Sequence, residues 1–121
     1  MPAHRRNFRV EQTESLLPAF YIRPGRGSTP VTLTGWTARS QWRVRLSKPE
    51  ALLELTTENG GIAIDADRRI LSYAITDEQR ASLLAMAYSR LVYDTFLISP
   101  TGRRYKVVEG EILLVRSVTH P

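Results

Sequence analysis

Two histidines, twelve carboxylates and no cysteine are the groups this chain offers to chemistry. His4 and His120 stand near the two ends, so no histidine in the body of the chain is placed to act as a general base or a metal ligand. Without cysteine or a central histidine, a transition-metal site would rest on carboxylates alone, a weak donor set. Asp65-x-Asp67 offers oxygen ligands of the kind calcium takes, but it lacks the spacing and the closing glutamate of a helix–loop–helix calcium site. The same two residues fit a turn, where Asp side chains accept bonds from nearby backbone N–H groups. A Ser or Thr nucleophile would have no histidine to activate it. Asp94 lies in an apolar run, and a carboxylate buried there would need a partner; it reads as a structural partner for an arginine or a backbone group. Gly25-x-Gly27 has no third glycine at dinucleotide-fingerprint distance and no helix after it. The expectation is a protein with no catalysis, no metal, no cofactor and no small-molecule substrate.

Recognition is the remaining chemistry. The net charge is +5, with 17 basic residues against 12 acidic, and only Lys48 and Lys106 are lysines. Arginine suits planar, bidentate pairing and interfaces. The positive charges are scattered along the chain. They concentrate once, as a row on one strand: Arg39, Arg43 and Arg45. That row fits a water-facing surface that discourages aggregation, a contact with an acidic protein partner, or nucleic-acid phosphate. The last is least expected, since no helix or aromatic platform accompanies the row.

The elements that must position these residues are strands. From Trp36 to Leu46, residues Trp36, Ala38, Ser40, Trp42, Val44 and Leu46 share one face, and the arginines fall on the other. A slip of register by one residue would bury three arginines. From Leu52 to Ile75 three short runs alternate with turn chemistry at Glu58-Asn59-Gly60-Gly61 and Asp65-Ala66-Asp67-Arg68, and read as a meander. Ile62 and Ile64 share a face, as do Leu71, Tyr73 and Ile75. Thr76 and Gln79 have capping-box spacing, which predicts a helix over 77–87, with Ala81, Leu84 and Tyr88 repeating at helical spacing and Leu83 and Ala87 flanking them. Residues 90–99 form a strand with Leu91, Tyr93, Thr95 and Leu97 on one face, and both faces are largely apolar. Ser99-Pro100-Thr101-Gly102 fits a turn into a return strand, with a bulge expected at Gly110 and a final strand over 111–118. Earlier in the chain, short strands are expected at Phe8-Arg9-Val10, at 16–22 as an edge or broken strand because of Pro18, and at Val31–Thr34.

These elements predict an all-β protein: an antiparallel, immunoglobulin-like β-sandwich of about seven or eight strands with one short helix. A small barrel is the alternative. The domain is expected over 8–119, preceded by a flexible basic arm over 1–7 carrying His4, Arg5 and Arg6. The expected core is Trp42, Val44, Ile62, Ile64, Leu71, Tyr73, Ile75, Leu84 and Tyr93. No apolar run approaches the roughly 20 residues that span a bilayer, and the N-terminus has no secretory signal, so the expectation is folding in a cytoplasm without a membrane partner.

Leu33-Thr34-Gly35, Trp42-Arg43-Val44-Arg45, Leu55-Thr56-Thr57-Glu58-Asn59-Gly60-Gly61-Ile62-x-Ile64-Asp65, Thr76-Asp77-Glu78-Gln79, Val92-Tyr93-Asp94, then Gly102 and Glu109-Gly110 follow one another in an order of their own. In that order the chain resembles small phage and prophage virion proteins, including the N-terminal domain of siphophage baseplate upper proteins. The resemblance runs over about 7–119. The 24–30 loop is longer than the usual turn there, and Ile70 replaces a polar residue. The resemblance implies a non-enzymatic virion structural protein made in the bacterial host cytoplasm. It would sit in the tail, baseplate or fibre-attachment region and assemble with copies of itself and other virion proteins. A capsid-decoration or head-fibre position is the nearest alternative. The arginine row and the 4–6 arm would be its interface. Two binding-module readings stand beside it: a nucleic-acid or host-factor module on the strength of the charge, and a carbohydrate module using Tyr21, Trp36 and Tyr105.

Overall fold

A computed structural model describes residues 4–11, 17–23, 32–45 and 50–116. Its central strands are those with the strongest alternation. Strand β4 (Thr37–Arg43) buries Ala38, Ser40 and Trp42, and turns Thr37, Arg39, Gln41 and Arg43 outward. It pairs antiparallel with β8 (Arg90–Ile98), which buries Leu91, Tyr93, Thr95 and Leu97. On the far side of β4 lies β5 (Leu53–Thr56), and on the far side of β8 lies β9 (Arg104–Val115). Two short N-terminal strands, β1 (His4–Arg5) and β2 (Phe8–Glu11), run parallel to β9 and complete a six-stranded sheet. The second sheet has three strands, in the order β3 (Ala19–Tyr21), β7 (Ile70–Tyr73), β6 (Ile62–Asp65).

The protein is thus an all-β, immunoglobulin-like sandwich. β3-β7-β6 follow the B-E-D order of that fold, and β9-β8-β4-β5 follow G-F-C-C′. Trp42 takes the place of the buried tryptophan on strand C and is wholly inaccessible. No disulfide backs it. Rings do so instead: Phe8 meets Trp42 edge-on at 5.6 Å and Tyr93 at 5.0 Å, and Tyr73 meets Trp42 at 6.4 Å.

Between the sheets sits a buried polar chain. The Thr95 hydroxyl donates to Ser40 Oγ at 3.0 Å, Tyr73 Oη bonds Thr95, and Ser40 Oγ donates to the Asp94 carbonyl at 2.9 Å. Each hydroxyl therefore has a partner, as buried polar groups require.

The helix α1 (Asp77–Ala85) starts where its capping box places it: Gln79 N–H donates to Thr76 Oγ1 at 3.0 Å, and Thr76 N–H to Gln79 Oε1 at 2.8 Å. Its far end is closed from a distance. Arg116 donates to the carbonyls of Leu84 in the last turn, of the cap residue Met86 and of Tyr88 just beyond it.

Several expectations are corrected. Within the 1–7 segment expected as an arm, His4 and Arg5 form β1 and pair with Val108 and Glu109. The 52–75 segment is not a meander: β5 belongs to one sheet and β6–β7 to the other, so the Asn59 turn is a crossing between layers. Asn59 holds that crossing by accepting from the Thr56 and Gly61 N–H groups and donating to the Glu54 carbonyl. Thr32–Thr34 form no strand, although Leu33 is buried. Gly110 is no bulge. It pairs directly with Tyr93, the register shift falls near Thr95–Phe96, and β9 continues through Gly110.

In the core, Trp42, Ile62, Leu71, Tyr73 and Tyr93 are buried as expected, but Val44, Ile64, Ile75 and Leu84 are half-buried. Val44 and Ile75 lie just past their strand ends, and β6 is a sheet edge. In the helix the buried side carries Leu83 and Arg80, while Ala81 and Tyr88 are exposed. Arg80 is buried there and donates to the Glu11 carbonyl at 3.2 Å.

Candidate functional site

The outward face of the larger sheet collects the residues singled out for recognition, with their neighbours set by register. Across it run Thr56, Arg39, Phe96 and Lys106 in one row, and Glu54, Gln41, Asp94 and Glu109 in the next. A third row holds Arg43, Val92 and Glu111.

Two of the arginines of the expected row lie on this face, and they are engaged. Arg39 donates to Glu54 at 2.7 Å, and Gln41 Nε2 donates to the same carboxylate oxygen at 2.7 Å. These bonds, Gln41 first and Arg39 second, hold the Glu54 carboxyl below its usual range. Arg43 is half-buried and donates to Gln41 Oε1. Arg45 lies past the end of β4, exposed and out of the row. The row is therefore two residues long, and it is laced to carboxylate and amide on its own face.

Two further pairs lie on this face, Lys106 with Glu109 at 3.3 Å and Arg90 with Glu111 at 4.0 Å. Between these charges lies an apolar strip. Val92, Phe96 and Ile98 are half-buried along β8, and Leu113 is 41% exposed on β9. Asp94 sits in this strip, half-buried between Gln41 and Glu109, rather than in the core. An open cleft of about 220 Å³ at one corner is lined by Asn7, Phe8, Arg90, Glu111 and Leu113. The strip was legible as the second apolar face of the 90–99 strand. Its charged border was not, because that depends on which strands lie to either side.

The 4–6 residues do not join this face as a free arm. Arg6 lies with its guanidinium carbon 5.6 Å from the Phe20 ring centre, and its carbonyl accepts from Tyr93 Oη at 2.6 Å. His4 and Arg5 are exposed on the outer edge of β9.

A second cluster forms at one end of the sandwich. The β3–β4 connection meets the β6–β7 turn, with Ile22 N–H bonding the Arg69 carbonyl at 2.8 Å and Leu33 N–H the Ala66 carbonyl at 3.0 Å. Arg69 Nε also donates to the Ile22 carbonyl at 2.8 Å. The β8–β9 turn, closed by Gly102 N–H on the Ser99 carbonyl at 2.9 Å, stands at the same end, with Pro100 against Gly35. Trp36 and Tyr105 pack there, ring centres 5.8 Å apart. Asp65 serves its turn by accepting from Arg68 N–H at 3.1 Å. Among the described residues no group of three or more His, Asp or Glu side chains could hold a metal ion, and no helix is long and apolar enough to cross a membrane.

No protein-family model matches the chain, and no curated protein matches it. Among solved structures it is similar to CopC from Methylosinus trichosporium OB3b, at 12% identity and a TM-score of 0.40, over 88% of this chain and 98% of that one. It is also similar to extracellular domains 3–5 of Drosophila OTK, at 13% identity and a TM-score of 0.34, over 93% of this chain and 33% of that one. This chain thus spans about a third of the OTK chain. Likenesses this distant carry no argument about function. What the strand order and the surface define is an immunoglobulin-like β-sandwich whose larger sheet presents an apolar strip bordered by paired charges.

Proposed function

We propose that the protein is a non-enzymatic structural subunit that acts by protein–protein assembly. The observation that supports this reading most is the outward face of the six-stranded sheet. Val92, Phe96, Ile98 and Leu113 form an apolar strip, and Arg39–Glu54, Lys106–Glu109 and Arg90–Glu111 border it. An apolar centre with a polar, ion-paired rim is how a docking surface is built. The β5 edge beside it has no strand partner among the described residues, which offers a neighbour backbone hydrogen bonds as well.

The setting we propose for this subunit is a bacteriophage virion, in the tail, baseplate or fibre-attachment region, with a capsid-decoration or head-fibre position as the second choice. Its support is the ordered series of sequence motifs set out above. The partners are then copies of this chain and other virion proteins.

Two measurements test the two parts. Sedimentation velocity of the purified chain at moderate salt should show self-association that Phe96→Asp abolishes; a monomer at every concentration, with no partner recovered from particles, would remove the assembly reading. Antibody against the chain should label intact phage particles. Labelling confined to infected or uninfected cells, with bare particles, would remove the virion setting alone.

A further inference from the structure

Among the described residues Arg5, Arg23, Arg45, Arg103 and Arg104 are exposed and have no carboxylate partner, and three of these five lie at the loop end. On the sheet face Arg39 and Arg43 are tied to Glu54 and Gln41. At the loop end, Arg103 and Arg104 follow the β8–β9 turn, are exposed, and have no carboxylate partner among the described residues. Arg23 leaves β3 toward the same end, exposed and likewise without a carboxylate partner among them. The carboxylates at this end among the described residues are Asp65 and Asp67 of the β6–β7 turn, and Asp65 is turned to Arg68, with its Oδ2 3.8 Å from Arg68 Nε. Tyr105 follows Arg104 on β9, turned to the opposite face of the strand and so to the Arg103 side; it is 39% exposed, with its ring braced against Trp36.

We infer that this loop end is a binding site for single-stranded nucleic acid, with Arg103, Arg104 and Arg23 on the phosphates and Tyr105 stacking on a base. On the sheet face the ring beside Arg39, Phe96, is half-buried and the arginines are held by Glu54 and Gln41, whereas the loop-end arginines lack a carboxylate partner among the described residues and Tyr105 is exposed. A guanidinium holds a phosphate through two parallel N–H bonds and stacks on flat rings, which suits a phosphodiester strand with open bases. Cations that track a backbone, next to a ring that accepts any base, are the parts of a sequence-tolerant single-strand site. Trp36 fixes the Tyr105 ring in advance, so little rotamer freedom is lost on stacking. A duplex hides its base faces and would use only the cations.

The test is fluorescence anisotropy of the full chain with a labelled short oligothymidylate, from about 50 to 200 mM salt. The double variant Arg103→Glu/Arg104→Glu should lose about tenfold in affinity or more, and its salt slope should shrink by one to two. Arg9→Glu/Arg90→Glu makes the same charge change away from the loop end and should stay within about twofold. Tyr105→Ala should weaken single-strand binding about fivefold or more while leaving duplex binding unchanged. All five positions are exposed, and melting curves check that each of the three variants is folded. Equal losses in the two double variants would reduce the effect to net charge and overturn the site. So would a Tyr105→Ala protein that binds as wild type, an acidic polysaccharide that binds as tightly with the same dependence on Tyr105, or no binding at the lowest salt.

Discussion

The Tyr93 hydroxyl donates to the carbonyl oxygen of Arg6 at 2.6 Å, joining the central strand β8 to the N-terminal segment 87 residues away. This bond lies where the chain passes from β1 to β2, over the Gly110 position of β9. Removing it should loosen the N-terminus without touching the strand order. Tyr93→Phe is expected to cost about 1 kcal/mol of stability, with faster amide exchange at 5–9. Unchanged exchange there would mean that the backbone pairing alone holds the segment.

Gly110 is the second tie at this point. A methyl on its Cα would stand 2.1 Å from the Arg6 carbonyl oxygen, closer than any contact tolerates. Gly110→Ala should therefore push β1 and β2 off β9 and cost about 1–3 kcal/mol. Gly60 is the control: it has positive φ but nothing within 4 Å of an added Cβ, so Gly60→Ala should cost no more than about 1 kcal/mol. Equal urea midpoints for the two variants would contradict the close approach seen at Gly110.

Alkaline pH should unfold the protein in a way two tyrosines explain. Burial is the main cause that pushes the Tyr73 and Tyr93 hydroxyls well above the ordinary tyrosine value. The folded state then keeps protons that the unfolded chain releases above about pH 10. Their contribution is present in full below that pH and falls as pH rises past it, by up to about 1.4 kcal/mol per pH unit for each group. Tyr73→Phe should flatten the decline between about pH 10 and 12 relative to wild type. An identical pH profile would show that the Tyr73 hydroxyl does not titrate differently on folding.

Trp42 is wholly buried between Phe8 and Tyr73, and no small side chain could fill its volume. Trp42→Ala is expected to cost about 3–5 kcal/mol by denaturant titration. A melting temperature near wild type would refute its central place.

Arg43 separates folding from assembly. Its bond to Gln41 lies on the outward face, and surface pairings contribute at most about 1 kcal/mol. Arg43→Glu should leave the fold intact and weaken self-association or co-sedimentation with particles. Unchanged assembly would make this side chain part of a wet face only.

Alternation along the chain was enough to tell which side of each strong strand faces inward. Ala38, Ser40 and Trp42, and Leu91, Tyr93, Thr95 and Leu97, follow from alternation, because a pleated backbone sends neighbouring side chains to opposite faces. The helix start followed from Thr76 and Gln79, because a capping box is closed within four residues. Partner choice was decided only in three dimensions. That β5 leaves β6 for the other sheet, that His4 and Arg5 pair with β9, and that Gly110 serves a passing backbone rather than a bulge depend on contacts between distant segments. The arginines show the same division: their positions were readable along β4, but Glu54, which ties Arg39, arrives from the neighbouring strand. Local pattern sets the direction of a side chain, whereas its partner is settled by whichever distant strand buries the most surface beside it.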